Sequence, residues 1–282
     1  MNKKKLSAVI IVLMVIIGLS LLLYPTLANY VNTVSARRAI ADFQSAVEVQ
    51  DEQTIEDQLA SAREFNARLL EKSKYMLLPV EVEHEEYLSL LDFTGTGLMG
   101  YVEIEKIDVY LPIYHGTDPE VLQSGVGHLE GSSLPVGGPG THAVLTAHTG
   151  LPLAKLFTDL DRLVEGDTFT VRVLREALTY EVDQITVIEP EDAEILTIDP
   201  EQDYCTLLTC TPYGVNTHRL LVRGHRIPTP EAVTEAAQNG LERGRAWIYL
   251  PDAETIVILT VAAVLLASVI IARRKRGGGR HL

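Results

Sequence analysis

Tyr204-Cys205-Thr206-Leu207-Leu208-Thr209-Cys210-Thr211 is followed by the turn residues Pro212-Tyr213-Gly214, and the chain then returns through Arg219-Leu220-Leu221-Val222-Arg223. Two β-rich runs about a turn predict paired antiparallel strands, with Arg219 brought back beside Cys210. Working outward, Tyr101–Ile104, Val109–Ile113, His142–Thr146, Thr168–Val173 and Tyr180–Ile188 are further β-rich runs, separated by Gly, Pro and Asp. Short helical pieces fit Pro119–Ser124 and Lys155–Leu163. Many short strands with little helix between them predict a mainly β fold, a closed barrel over 100–227 rather than a βαβ sheet.

Upstream the period changes. Ala36, Ile40, Phe43 and Val47, then Ile55, Leu59, Ala62, Phe65 and Leu69, follow helical spacing, with Asp51–Thr54 supplying capping residues between them. Residues 25–75 therefore read as a helical hairpin. Residues 76–99 form a transition of Pro79, an acidic run and Thr94-Gly95-Thr96-Gly97.

The chain of 282 residues is 46% hydrophobic and 22% charged, which excludes a disordered or collagen-like chain. Its net charge of -14 argues against a general nucleic-acid binder, and two cysteines exclude a disulfide-stapled scaffold. That charge is segregated. Eight of the 24 basic residues lie at the two ends, where there is no acid, which leaves 16 against 38 acids, or -22, for residues 25–254. Leu6–Leu23 and Thr255–Ala272 are uncharged apolar runs long enough to span a bilayer. Their basic flanks place both termini in the cytoplasm and the acidic middle outside. Residues 1–24 read either as a retained anchor or as a signal segment, since Val34-Ser35-Ala36 imitates a cleavage site. Residues 228–254 read as a linker, 255–272 as a transmembrane helix and 273–282 as a basic cytoplasmic tail.

Gly137-Gly138-Pro139-Gly140 lacks the Lys and Ser or Thr of a phosphate loop and reads as a turn. No set of His, Cys and Asp has zinc-ligand spacing, so no metal and no cofactor is expected.

Cys210 ends its strand before a turn, where a rigid scaffold can present a nucleophile. Cys205, five residues earlier, faces the other side of the sheet. A thiol gains nucleophilic character beside a cation, and Arg219 and Arg223 share a face of the following strand. Acyl transfer also needs a proton carrier, for which His115, His128, His142, His148, His218 and His225 are candidates. His148, after the Val144-Leu145-Thr146-Ala147 run, has the same strand-end placement as Cys210, but spacing leaves the choice open.

The segment 206–220, Thr-Leu-Leu-Thr-Cys-Thr-Pro-Tyr-Gly-Val-Asn-Thr-His-Arg-Leu, resembles the active-site signature of the sortases, class C, the pilus-assembling group, in particular. Thr146-Ala147-His148-Thr149-Gly150-Leu151-Pro152 resembles that family's histidine segment, and Met99–Ile104 with Leu111–Gly116 its first strands. The resemblance covers about residues 85–227. It implies an eight-stranded barrel and a catalytic set of His148, Cys210 and Arg219. It also implies a membrane-anchored cysteine transpeptidase that cleaves a Leu-Pro-x-Thr-Gly (LPxTG) sorting signal between Thr and Gly and passes the acyl group to a lysine amine of a pilin subunit. The neighbouring readings are a housekeeping sortase that uses a cell-wall amine and an inert membrane-tethered adhesin or scaffold. Class C lids commonly carry Asp-Pro-aromatic, whereas this chain has Leu78-Pro79-Val80. A lid over 76–92 is therefore expected to be held loosely, by apolar contact alone.

Overall fold

The structure, a computed structural model, describes residues 3–74, 78–192 and 196–231, with side chains described in full from residue 20 up to these limits. Two helices come first. α1 (Lys3–Glu48) runs unbroken through Pro25, so the first apolar run and the first amphipathic segment are one helix about 70 Å long at 1.5 Å per residue. α2 (Glu52–Ser73) starts at Asp51, whose carboxylate accepts the Thr54 N–H at 2.8 Å; that bond satisfies one of the amides a helix start leaves unpaired. The positions with helical spacing, Ile40, Phe43, Val47, Ile55, Leu59, Phe65 and Leu69, are all buried, as the periodicity predicts.

Among the described residues no helix is long and apolar enough to cross a membrane. Most side chains of Leu6–Leu23, and the whole of Thr255–Ala272, lie outside the described residues.

The short helix α3 (His84–Ser89) leads into β1 (Leu98–Ile104). There follow β2 (Val109–His115), α4 (Pro119–Ser124), β3 (Val126–His128), β4 (Thr141–Thr146), β5 (Thr168–Val173), β6 (Glu176–Ile188), β7 (Asp203–Thr211) and β8 (His218–Ile227). The eight strands close in the order β1-β2-β3-β4-β7-β8-β6-β5. Two neighbouring pairs, β2 with β3 and β4 with β7, are parallel.

Sequence periodicity does not reveal β3, which has only three residues. The helix expected over Lys155–Leu163 reduces to a single 3-10 turn, Leu160–Arg162. Its first half is instead a loop whose backbone bonds back, the Phe157 N–H to the His148 carbonyl at 3.1 Å.

Alternation along the strands sorts residues to two faces. Ala143, Leu145, Cys205, Leu207, Leu220 and Val222 enter the barrel core, whereas Val144, Leu208 and Leu221 belong to a second cluster outside it. The Gly137–Gly140 turn is a structural one. The Asp203 carboxylate accepts the Gly138 N–H at 2.7 Å and the Tyr180 hydroxyl at 3.0 Å, and burial raises its pKa.

Candidate active site

The register of β7 with β8 sets Cys210 directly opposite Arg219, and residues so paired point to the same face about 5 Å apart at Cα. On the other side of β7, β4 runs parallel, with Thr146 level with Leu208. The ladder continues past the strand end, because the Ala147 N–H donates to the Leu208 carbonyl at 3.1 Å and the Thr209 hydroxyl donates to the Ala147 carbonyl at 2.7 Å. Ala147 is buried, and His148 follows it, two residues past the last paired position of β4, where Thr146 lies level with Leu208. Three strand ends thus bring His148, Cys210 and Arg219 to one edge of the barrel, each half-buried.

Cys205 lies on the opposite face. It is fully buried, and desolvation pushes its thiol pKa well up, which suits a packing residue rather than a nucleophile.

The other histidines are engaged elsewhere. His128 and His142 are buried, and desolvation lowers each pKa to about 4. His128 bonds the Tyr87 hydroxyl and the Ser133 carbonyl, and His142 the Thr197 carbonyl and the Thr206 hydroxyl. His115 is buried against Tyr87, and burial lowers its pKa too. His218 pairs with Thr211, one step from Cys210, and so faces the other way. His225 pairs with Tyr204, about 20 Å up the strand from Arg219.

Arg223 shares the outer face but is committed: its guanidinium forks onto Asp183 at 3.0 and 3.1 Å and stacks 4.2 Å from the Tyr204 ring centroid. Arg219 donates to the carbonyls of His218 at 3.1 Å and Asn216 at 3.4 Å. Both bonds leave one guanidinium nitrogen, Nη1, and both are local.

The segment after α2 covers the same outer face. Leu78 and Val80, each 2% exposed, pack with Leu69, Val144, Leu196 and Leu221, with Leu208 against them. The expectation of apolar contact alone needs correcting: the packing is apolar, yet hydrogen bonds also tie the strap. The Val80 N–H donates to the Gly131 carbonyl at 2.9 Å. Gly131 sits at φ +83°, and a Cβ there would meet the Val80 oxygen at 2.2 Å, so only glycine fits. Farther along, the Tyr87 hydroxyl bonds His128 at 3.0 Å and accepts the Gly116 N–H at 2.9 Å. The sequence signal for these ties was a glycine and a tyrosine without any distinctive pattern.

Comparison with known proteins bears on this geometry. The Sortase domain family matches residues 102–227. The crystal structure of sortase C1 from Streptococcus agalactiae shares 48% sequence identity with a TM-score of 0.64, covering 68% of this chain and 100% of that one. That of Clostridium perfringens sortase C with the C-terminal cell wall sorting motif shares 41% with a TM-score of 0.60, covering 68% and 98%. Sortase D of Bacillus subtilis (strain 168) is 30% identical over 131 residues, 45% of this chain and 63% of that protein, so the match spans less than two thirds of that relative. A fold shared over 68% of this chain and nearly the whole of the solved sortases C, at identities of this size, means that the chain belongs to the sortase family of cysteine transpeptidases and sits structurally among its class C members.

Proposed function

We propose that this protein is a membrane-anchored pilus-assembling transpeptidase acting on a Leu-Pro-x-Thr-Gly signal, with Cys210 as nucleophile, His148 as proton carrier and Arg219 as oxyanion donor. The observation that carries the reading is the pairing of Cys210 with Arg219 across β7 and β8, with His148 just past the end of the neighbouring strand β4. In the forward half-reaction the Cys210 sulfur bonds to the Thr carbonyl carbon, the Thr–Gly C–N bond breaks, and His148 gives a proton to the departing Gly amine. In the second half a lysine amine attacks the thioester carbonyl, its proton passes to His148, the C–S bond breaks and Cys210 leaves as the thiolate that began the cycle. Arg219 donates to the carbonyl oxygen while it carries charge.

The sorting-signal substrate is supported by the C. perfringens sortase C with its cell wall sorting motif, and the pilin acceptor by the resemblance to class C. Anchoring is supported by the basic-flanked apolar runs and by the exposure of Met14, Ile17, Leu21, Leu22 and Leu23 on α1, a row of apolar side chains that water would not favour. The catalytic barrel is then extracytoplasmic, with both termini inside.

Mass spectrometry of products tests this directly. The protein is incubated with a sorting-signal peptide, a pilin-derived lysine peptide and a peptidoglycan-type amine. Ligation to the lysine peptide is expected. Ligation confined to the peptidoglycan-type amine would favour the housekeeping reading, and no thioester at all would overturn both.

A further inference from the structure

The loop that follows His148 is closed at its base by its own bonds: the Phe157 N–H to the His148 carbonyl at 3.1 Å and the Gly150 N–H to the Thr158 hydroxyl at 3.1 Å. Its tip is tied to a distant part of the chain. Asn32 on α1 donates through Nδ2 to the Leu153 carbonyl at 2.8 Å, and the Lys155 N–H donates to Asn29 Oδ1 at 2.9 Å. Asn29 and Asn32 stand three residues apart, on one face of the helix. Together they hold two backbone groups of the loop in opposite hydrogen-bonding senses. Lys155 Nζ adds bonds to the Ile107 carbonyl at 3.0 Å and to Asp159 at 2.8 Å. Beneath the tip Ala154 and Leu156 are buried, so the loop is docked by packing and fixed in place by the amides. The side of the loop nearest the site is bounded by Tyr213, which lies close enough to Gly150 that a Cβ there would meet its ring at 3.2 Å.

We infer that Asn29 and Asn32 are positioning residues for His148: the helix that leads out of the first apolar run sets the loop, and the loop sets the imidazole at the edge of Cys210. This rests on the reading of His148 as proton carrier. Misplacement of a reacting group by about 1 Å can cost about a hundredfold in rate. Loss of one tether, with the loop base intact, is a partial version of that, and about tenfold in kcat is expected.

The two asparagines make opposite demands, which separates positioning from bulk. Asn29 accepts, so Asn29→Asp keeps its bond. Asn32 donates, so Asn32→Asp, the same size, loses its bond and sets a carboxylate against a carbonyl. Steady-state transpeptidation by the full-length protein in detergent micelles, with a sorting-signal peptide and a lysine peptide, should show Asn29→Asp near the parent and both Asn32→Asp and Asn29→Ala about tenfold lower in kcat with KM unchanged. Thermal midpoints are measured alongside. Equal kcat in all three variants, or a loss that appears only with a lowered thermal midpoint, would overturn the inference. His148→Ala in the same assay keeps the underlying reading separate. If it retains activity, His148 is not the proton carrier. If it is inactive while the asparagine variants behave as the parent, the tether alone is refuted.

Discussion

Five positions along β7 separate the proposed nucleophile, Cys210, from a packing residue, Cys205, and the difference is parity. Cys210→Ala should abolish thioester formation with the fold intact, because its side chain points out at a strand end. Cys205→Ala should keep most activity and lose stability by about 1–2 kcal/mol, the usual range for a small vacancy in a core; mass spectrometry of the trapped intermediate and denaturant melts read both. Equal loss of thioester in two folded variants would refute the assignment. Parity does not separate the two arginines, which share the outer face; their partners do, since Arg223 is forked onto Asp183 and Arg219 bonds only nearby carbonyls. Arg219→Lys should lower kcat by about a hundredfold or more, since an ammonium does not reproduce a planar fork aimed at the oxyanion. Arg223→Lys should leave kcat within a fewfold and lower stability by about 1 kcal/mol through its lost fork on Asp183 and its stacking on Tyr204. Greater catalytic damage from Arg223→Lys would mean the wrong arginine was chosen. The period of two made the shared face of Arg219 and Arg223 legible in the sequence, whereas the Asp183 partner forty residues away was not, because a fork between strands depends on register.

At the scale of elements, legibility followed length and repetition. α1 and α2 repeat their apolar spacing over several turns, and the cap at Asp51 is local chemistry, so both were readable. β3 is three residues long, too short to show a period, and it is recognisable only through its pairing with β2 before it and β4 after it. The helix expected over Lys155–Leu163 yielded to tertiary bonds from α1 that no local pattern encodes. The strap at 78–92 was anticipated as a cover, yet its ties to Gly131 and to the Tyr87–His128 pair come from long-range closeness. Two buried histidines, His128 and His142, should make stability pH-dependent. His128 on β3 and His142 on β4 titrate at about 4 in the folded protein against 6.5 ordinarily, desolvation being the main cause. Between those values the unfolded chain binds more protons, so stability should fall as pH drops from 6.5 towards 4 and should be insensitive to these two groups above about 7. Urea midpoints at pH 7.5, 5.5 and 4.5 should decrease in that order, and His142→Gln should flatten part of the decline. A midpoint unchanged across the series would show that neither ring is held neutral.

For the whole molecule, the decisive feature is that charge is sorted along the chain. Residues 25–254 carry -22, while every charge at the two ends is basic. A chain that keeps both apolar runs would leave both basic ends on the cytoplasmic side, since translocating clustered lysine and arginine is disfavoured. The barrel and its site would then face outward, where a sorting signal and an amine acceptor can reach the edge formed by β4, β7 and β8. The protein carries its own reporter for this arrangement, because Cys205 is fully buried and Cys210 is half-buried at a strand end. A membrane-impermeant maleimide applied to intact cells should therefore label the chain at Cys210 and lose that label in Cys210→Ala. In the Cys210→Ala background, Gly278→Cys in the basic tail should be labelled only after the membrane is permeabilised. Labelling of the tail in intact cells, or of Cys210 only after permeabilisation, would reverse the topology and remove the site from its proposed substrates. Cleavage of the first run would leave this pattern intact if the second run spans the membrane as proposed, because its basic flank would by itself favour the tail inside and the barrel outside; a shortened N-terminus in the mature chain's mass would identify that case.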